Sequence, residues 1–75
     1  MNPFKIRAAW DDQAKVWIAT SDDVPGLCVQ ADTFDDLLEI ATGLVPELLA
    51  ENRVPTQAAI PLHIVAERTM IARAA

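Results

Sequence analysis

The side chains that could carry chemistry in this sequence are few, and their spacing says more than their number. There is one cysteine, Cys28, and one histidine, His63. Nucleophilic catalysis would need the two within hydrogen-bond reach of each other. Cys28 lies between Leu27 and Val29 in a run that reads as a strand, where a small buried hydrophobe is the expected role. His63 falls on the polar side of a later alternating run and should be exposed or at an interface. One cysteine excludes an intramolecular disulfide, and this pair cannot supply a four-ligand zinc site. The carboxylate doublets Asp11-Asp12 and Asp22-Asp23 would ligate a metal only if several elements converged on it. Both fall where turns are expected, and Asp in a turn caps its own backbone. No catalytic residue, metal or cofactor is expected.

Glu47 and Glu51 are more informative. They are like charges spaced i,i+4, which costs a few tenths of a kcal/mol on a helix. They also fall toward a helix C-terminus, where the dipole disfavours anions. With Asp36 and Glu39 they form an acidic face, either a solvated one or a contact surface for a basic protein. Asp22 and Asp23 could join such a contact. Trp17 is a further candidate, because exposed tryptophan is enriched at interface anchors.

The elements that must position these residues can be read from periodicity. Phe4, Ile6, Ala8 and Trp10 alternate with Lys5, Arg7 and Ala9, which predicts a half-buried strand. Asp11–Lys15 reads as a hairpin loop, and Val16–Thr20 as a second strand. Val16 and Ile18 face one way there, Trp17 and Ala19 the other. Val24-Pro25-Gly26-Leu27 predicts a type II turn, followed by a short strand over Leu27–Ala31. Thr33 is placed as an N-cap, with Asp36 three residues on. From Phe34 to Leu49 apolar residues recur at helical spacing, in a stripe broad enough to lie flat on a sheet. Gly43 and Pro46 disturb this helix. The stripe keeps its phase across them, which predicts one kinked helix. A fourth strand spans Ile60–Ala66, with Pro61 at its start or on an edge. Residues 68–75 lack a period and are expected to fray.

The predicted fold class is therefore α+β, a β-β-β-α-β two-layer sandwich with one helix on one face of a mainly antiparallel sheet. Seventy-five residues make a single domain, 1–75. A core that small is marginal, which with a bare sheet face points to a homodimer or higher homo-oligomer. Trp17 belongs to that bare face if it opposes the core residues Val16 and Ile18. Eleven acids against six bases give a net charge of −5, and the bases are dispersed along the sequence. Direct nucleic-acid binding needs clustered Lys and Arg and is not expected. A basic protein would be attracted. No run reaches the roughly 20 apolar residues of a membrane span, and no signal-peptide core follows the N-terminus. A cytoplasmic location is the expectation.

The run Trp17-Ile18-Ala19-Thr20-Ser21-Asp22-Asp23-Val24-Pro25-Gly26-Leu27, followed by Ala31-Asp32-Thr33-Phe34-Asp35-Asp36-Leu37, resembles the HicB-like antitoxin superfamily. More narrowly, it is similar to a short stand-alone branch catalogued as a prokaryotic domain of unknown function. The resemblance spans Phe4 to Asn52, with the last predicted strand fitting the family's final element. It implies a partial ribonuclease-H-like fold without that fold's catalytic carboxylates. It further implies an antitoxin that masks a small, basic, HicA-like toxin cleaving mRNA. Longer members add a C-terminal DNA-binding domain, and none is expected within these 75 residues. Two other functions stay open: a homo-oligomeric structural or regulatory domain with no toxin partner, and a divergent metal-dependent nuclease using Asp11, Asp12, Asp22 and Asp23.

Overall fold

Period-two alternation becomes structure only when strands find partners, and here four strands do. The computed structural model describes residues 2–74. In chain order it contains β1 (Phe4–Asp11), β2 (Val16–Thr20), β3 (Cys28–Ala31), α1 (Phe34–Glu51) and β4 (Leu62–Glu67). The sheet order is β3-β2-β1-β4. β1 pairs antiparallel with β2, as β2 does with β3. β4 returns parallel to β1, with Phe4 opposite Leu62 and Ala8 opposite Ala66. A parallel return needs a long crossover, and α1 supplies it. The result is the expected α+β two-layer sandwich.

α1 covers one face of the sheet. Leu37, Ala41, Val45 and Leu49 are its buried stripe, and Leu37, Val45 and Leu49 meet Ile6, Ala8 and Ala19 from the strands. Val24 and Leu27, at the two ends of the turn before β3, complete the buried core. Leu27 N–H donates to the Val24 carbonyl at 3.2 Å, and Gly26 takes φ 80°. A type II turn requires that sign of φ at its third residue, where glycine is not strained. A Cβ at Gly26 would meet Leu48 Cδ2 at 3.7 Å, so the turn sits against the helix. Because Leu27 closes the turn, β3 begins one residue later than its hydrophobicity suggests.

The helix is single and continuous through Pro46. Thr33 caps it as predicted: its Oγ1 accepts from Asp36 N–H at 3.1 Å. Asp35 and Asp36 stand in the first turn, where the dipole favours anions. At the other end Arg53 N–H donates to the Ala50 carbonyl and Val54 N–H to the Leu49 carbonyl. That pair of bonds is a Schellman motif, and its left-handed position is held by Arg53 at φ 56°. Val54 then packs on the core as the motif's apolar contact.

Past Glu67 the described chain has no regular structure, and Met70 and Ile71 are 74% and 84% exposed. The radius of gyration is 14.2 Å and the longest dimension 53 Å, against about 11 Å expected for the radius of a compact chain this long.

Three substitutions grade these contributions by urea unfolding. Leu49→Ala leaves a cavity in a core that cannot collapse and should cost about 2–5 kcal/mol. Thr33→Ala should cost about 1 kcal/mol, through loss of the cap alone. Gly43→Ala should stabilise by roughly 0.5–1 kcal/mol, because a Cβ there meets nothing within 4 Å. Equal losses for Leu49→Ala and Thr33→Ala would contradict the core as described.

Candidate functional site

Cross-strand register decides which predicted site residues can act together. Trp17 lies opposite Trp10 on β1 and Ala31 on β3, and Ala19 lies opposite Ala8. Since Ala8 and Ala19 are buried under α1, Trp17 and Trp10 share the covered face. Trp17 therefore does not belong to the bare face. It packs on the core and meets Phe34 edge-on at 5.1 Å and Trp10 at 5.7 Å. Arg68 lays its guanidinium 4.1 Å above the Trp10 ring. This aromatic row closes the rim of the core, at the end of the sheet where α1 begins. The bare face carries Val16, Ile18 and Val65, half-buried, among Lys5, Arg7, Cys28, Gln30, His63 and Glu67.

Cys28 is a second correction: it is exposed, not buried. Val29 and Ala31 take the inward phase of β3, so Cys28 and Gln30 point away from the helix. His63 is exposed as predicted. Both lie on the bare face but on the two outermost strands, β3 and β4. Three strand spacings, about 14 Å, separate those strands, too far for a nucleophile and its base.

Asp22 and Asp23 line a cleft of about 130 Å³ with Lys5, Arg7, Thr20 and Ser21. Asp23 is committed to the fold, because its Oδ2 accepts the Lys5 N–H at 2.8 Å. The Lys5 carbonyl accepts from Ser21 Oγ at 2.5 Å, and Ser21 Oγ in turn accepts from the N–H groups of Asp23 and Val24. The loop thus completes the β1 ladder where β2 has ended. Asp11 plays the turn role foreseen for it, accepting from Gln13 and Ala14 N–H. Asp12 accepts from Lys15 Nζ at 3.0 Å and from Trp10 Nε1. The Lys15 hydrogen bond first, then that from Trp10 and the Lys15 charge, hold its carboxyl below the usual range. Among the described residues no three His, Cys, Asp or Glu side chains form a metal-binding group. No helix there is long and apolar enough to cross a membrane.

Glu47 and Glu51 are exposed on the outer side of α1, and no basic residue stands in its last turn. They lie on the layer opposite the cleft of Asp22 and Asp23, so the structure does not gather the five candidates into one patch. It assembles another feature instead. Asp32, Asp36, Glu39 and Ile40 join Val16, Gln30 and Ala31 around an open groove of about 380 Å³ at the free edge of β3. Ile40 is 44% exposed there. At 100° per residue, Asp36, Ile40 and Glu47 fall on one side of the helix. The acidic face therefore runs from this groove along the outside of α1. Asp32 was the signal overlooked in the sequence, since it stands one residue before the helix cap and reads as part of a turn.

A family model described as Domain of unknown function (DUF1902) matches residues 3–74. The chain belongs to this family. A solved relative of this DUF1902 chain is the hypothetical protein TTHA1013 from the extremely thermophilic bacterium Thermus thermophilus. It is 42% identical, with 95% of this chain and 100% of that chain covered, at a TM-score of 0.82. No curated protein matches.

The placement of Trp17 is checked by comparing neighbours of opposite phase. Trp17→Ala should cost about 3 kcal/mol, the low end for a core aromatic. Ile18→Ala, on the bare face, should cost less than about 1 kcal/mol. Far-UV circular dichroism in urea reads both, and the reverse order would return Trp17 to the bare face.

Proposed function

We propose that this DUF1902 chain is a HicB-like antitoxin module, which binds a small, basic, HicA-like toxin and blocks its mRNA-cleaving site by occlusion. The observation that carries the reading is the acid-lined groove at the β3 edge. A free strand edge offers unpaired N–H and C=O groups to an extended segment, and flanking side chains select its sequence. Asp32, Asp36 and Glu39 select for Lys and Arg, and Ile40 adds an apolar contact. Glu47 and Glu51 extend the same field along α1 and would speed encounter with a basic partner more than they hold it. The motif run from Trp17 to Leu37 supports the reading independently. Cys28 and His63, on the two outermost strands, are too far apart to act as a nucleophile and its base, which supports a binding role.

The test is growth rescue in cells expressing a HicA-like toxin from the same genome. The wild-type chain should restore growth. Asp36→Lys with Glu39→Lys should abolish rescue, while the purified variant stays folded and loses only about 1 kcal/mol from the reversed charge in the first turn of α1, since both residues are exposed. Glu47→Lys with Glu51→Lys should slow association and flatten its salt dependence, with a smaller effect on dissociation. Failure of the wild-type chain to rescue growth, or rescue by the groove variant, would overturn the assignment.

A further inference from the structure

The sheet has two free edges, and their chemistry differs. β3 is four residues long and flanked by acids, so two copies meeting there would set like charges together. β4 is six residues long, Leu62–Glu67, with Leu62, Ile64, Val65 and Ala66 among them. Phe4 N–H donates to the Pro61 carbonyl at 2.9 Å. In a parallel ladder with this phase, the odd-numbered residues of β4 turn their backbone groups toward β1. Leu62, Ile64 and Ala66 turn theirs outward, and each carries an N–H. Proline, a common guard of free edges, falls here only at Pro61, whose backbone faces inward. Beyond β4 Met70 and Ile71 are exposed.

We propose that this edge binds a second copy of the chain, β4 against β4 in antiparallel sense, about a two-fold axis through Val65. The backbone phase admits only registers that pair even residues with even and odd with odd. Among these, the axis through Val65 sets His63 opposite the partner's Glu67, and by symmetry does so twice. These residues lie on the bare face and are exposed in the single chain. They would occupy non-hydrogen-bonded positions, where Cα atoms stand about 4.5 Å apart and side chains are closest. An imidazole N–H then reaches a carboxylate on each side of the axis. Lys5, which neighbours His63 on β1, adds a positive group facing that acid. On the core side Ile64 meets the partner's Ala66. The acidic β3 edges remain free at the two ends of the joined sheet, so this interface and the proposed toxin groove do not compete.

Sedimentation velocity over a range of concentrations should show a dimer of the full chain. Glu67→Lys and His63→Glu should each raise the dimer dissociation constant about tenfold or more. The two changes together restore opposite charges across the axis and should return it to near the wild-type value. Thermal unfolding at low concentration confirms that each variant folds. Independently, Val65→Cys in a Cys28→Ser background should oxidise to a covalent dimer, since the axial Cα separation suits a disulfide. Gln30→Cys in the same background should stay monomeric on non-reducing gels. A monomer at every concentration, a dimer indifferent to both charge reversals, or cross-linking through Gln30 in place of Val65 would each overturn the interface.

Discussion

Leu37, Ala41, Val45 and Leu49 form one stripe on one helix, and the only surface offered to them is the side of the sheet carrying Ile6, Ala8 and Ala19. Everything else in the molecule depends on that match. α1 comes closest to β3 and β2, and the small side chain of Ala19 on β2 leaves room for it there, where a larger one would hold it off. Once it lies there, the side-chain period of two assigns every other strand residue to a side. Trp10 and Trp17 become the rim of the core, while Lys5, Arg7, Ile18 and His63 face out. A one-residue slip in β2 would bring Ile18 inward and expel Trp17, exchanging Ala19 for two bulkier neighbours under the helix. The buried turn at Val24–Leu27 opposes such a slip. It is anchored at both ends in the core and tied to β1 through the contacts of Ser21 and Asp23 with Lys5.

How much of this was legible in the sequence follows from the range of each interaction. The Thr33 cap, the Gly26 turn, the Asp11 turn and the unbroken phase of α1 across Pro46 all act within a few residues, and local spacing reveals them. The facing of Trp17 and Cys28 does not. Alternation shows that Trp17 and Ala19 share a side, but Val16 and Ile18 look the better core pair until the strands are registered. Only the pairing of Ala19 with the buried Ala8 decides the matter. Cys28 alternates with Leu27, Val29 and Ala31, and its outward facing follows once those three are known to be the phase that meets the core. The role of Asp23 spans 18 residues and leaves no local trace. In the candidate site, the acids of α1 were visible, whereas their convergence with Asp32 and the β3 edge needed the chain to fold.

Charge is distributed by element, and this gives a net charge of −5 a direction. The acids of α1 and of the loop before it cover the helix layer and the β3 edge. Lys5, Arg7 and His63 meet on the bare face. Two permanent cations beside the carboxylates of Asp22 and Asp23 are too few to neutralise a run of phosphates. The field is therefore positive only locally and acidic at the groove, which suits a basic protein and not a polynucleotide. The same distribution keeps the β3 edges of two copies apart and leaves β4 as the edge compatible with self-pairing.

The end of α1 shows that its acidity is not placed there for the stability of the helix. Its last carbonyls are satisfied by backbone through the Schellman motif and by Asn52, whose Nδ2 donates to the Leu48 carbonyl at 2.8 Å. The terminus therefore needs no lysine or arginine to satisfy those groups. A basic residue at 47 or 51 would still gain several tenths of a kcal/mol from the dipole and relieve repulsion with its neighbour. Since residues 47 and 51 are exposed, that gain is available without disturbing a buried contact. Two glutamates there run against the local electrostatic preference, and solubility alone would be served as well by placing them in the first turn. The proposed binding surface, negative along the full length of the helix, would account for both the charge and its position.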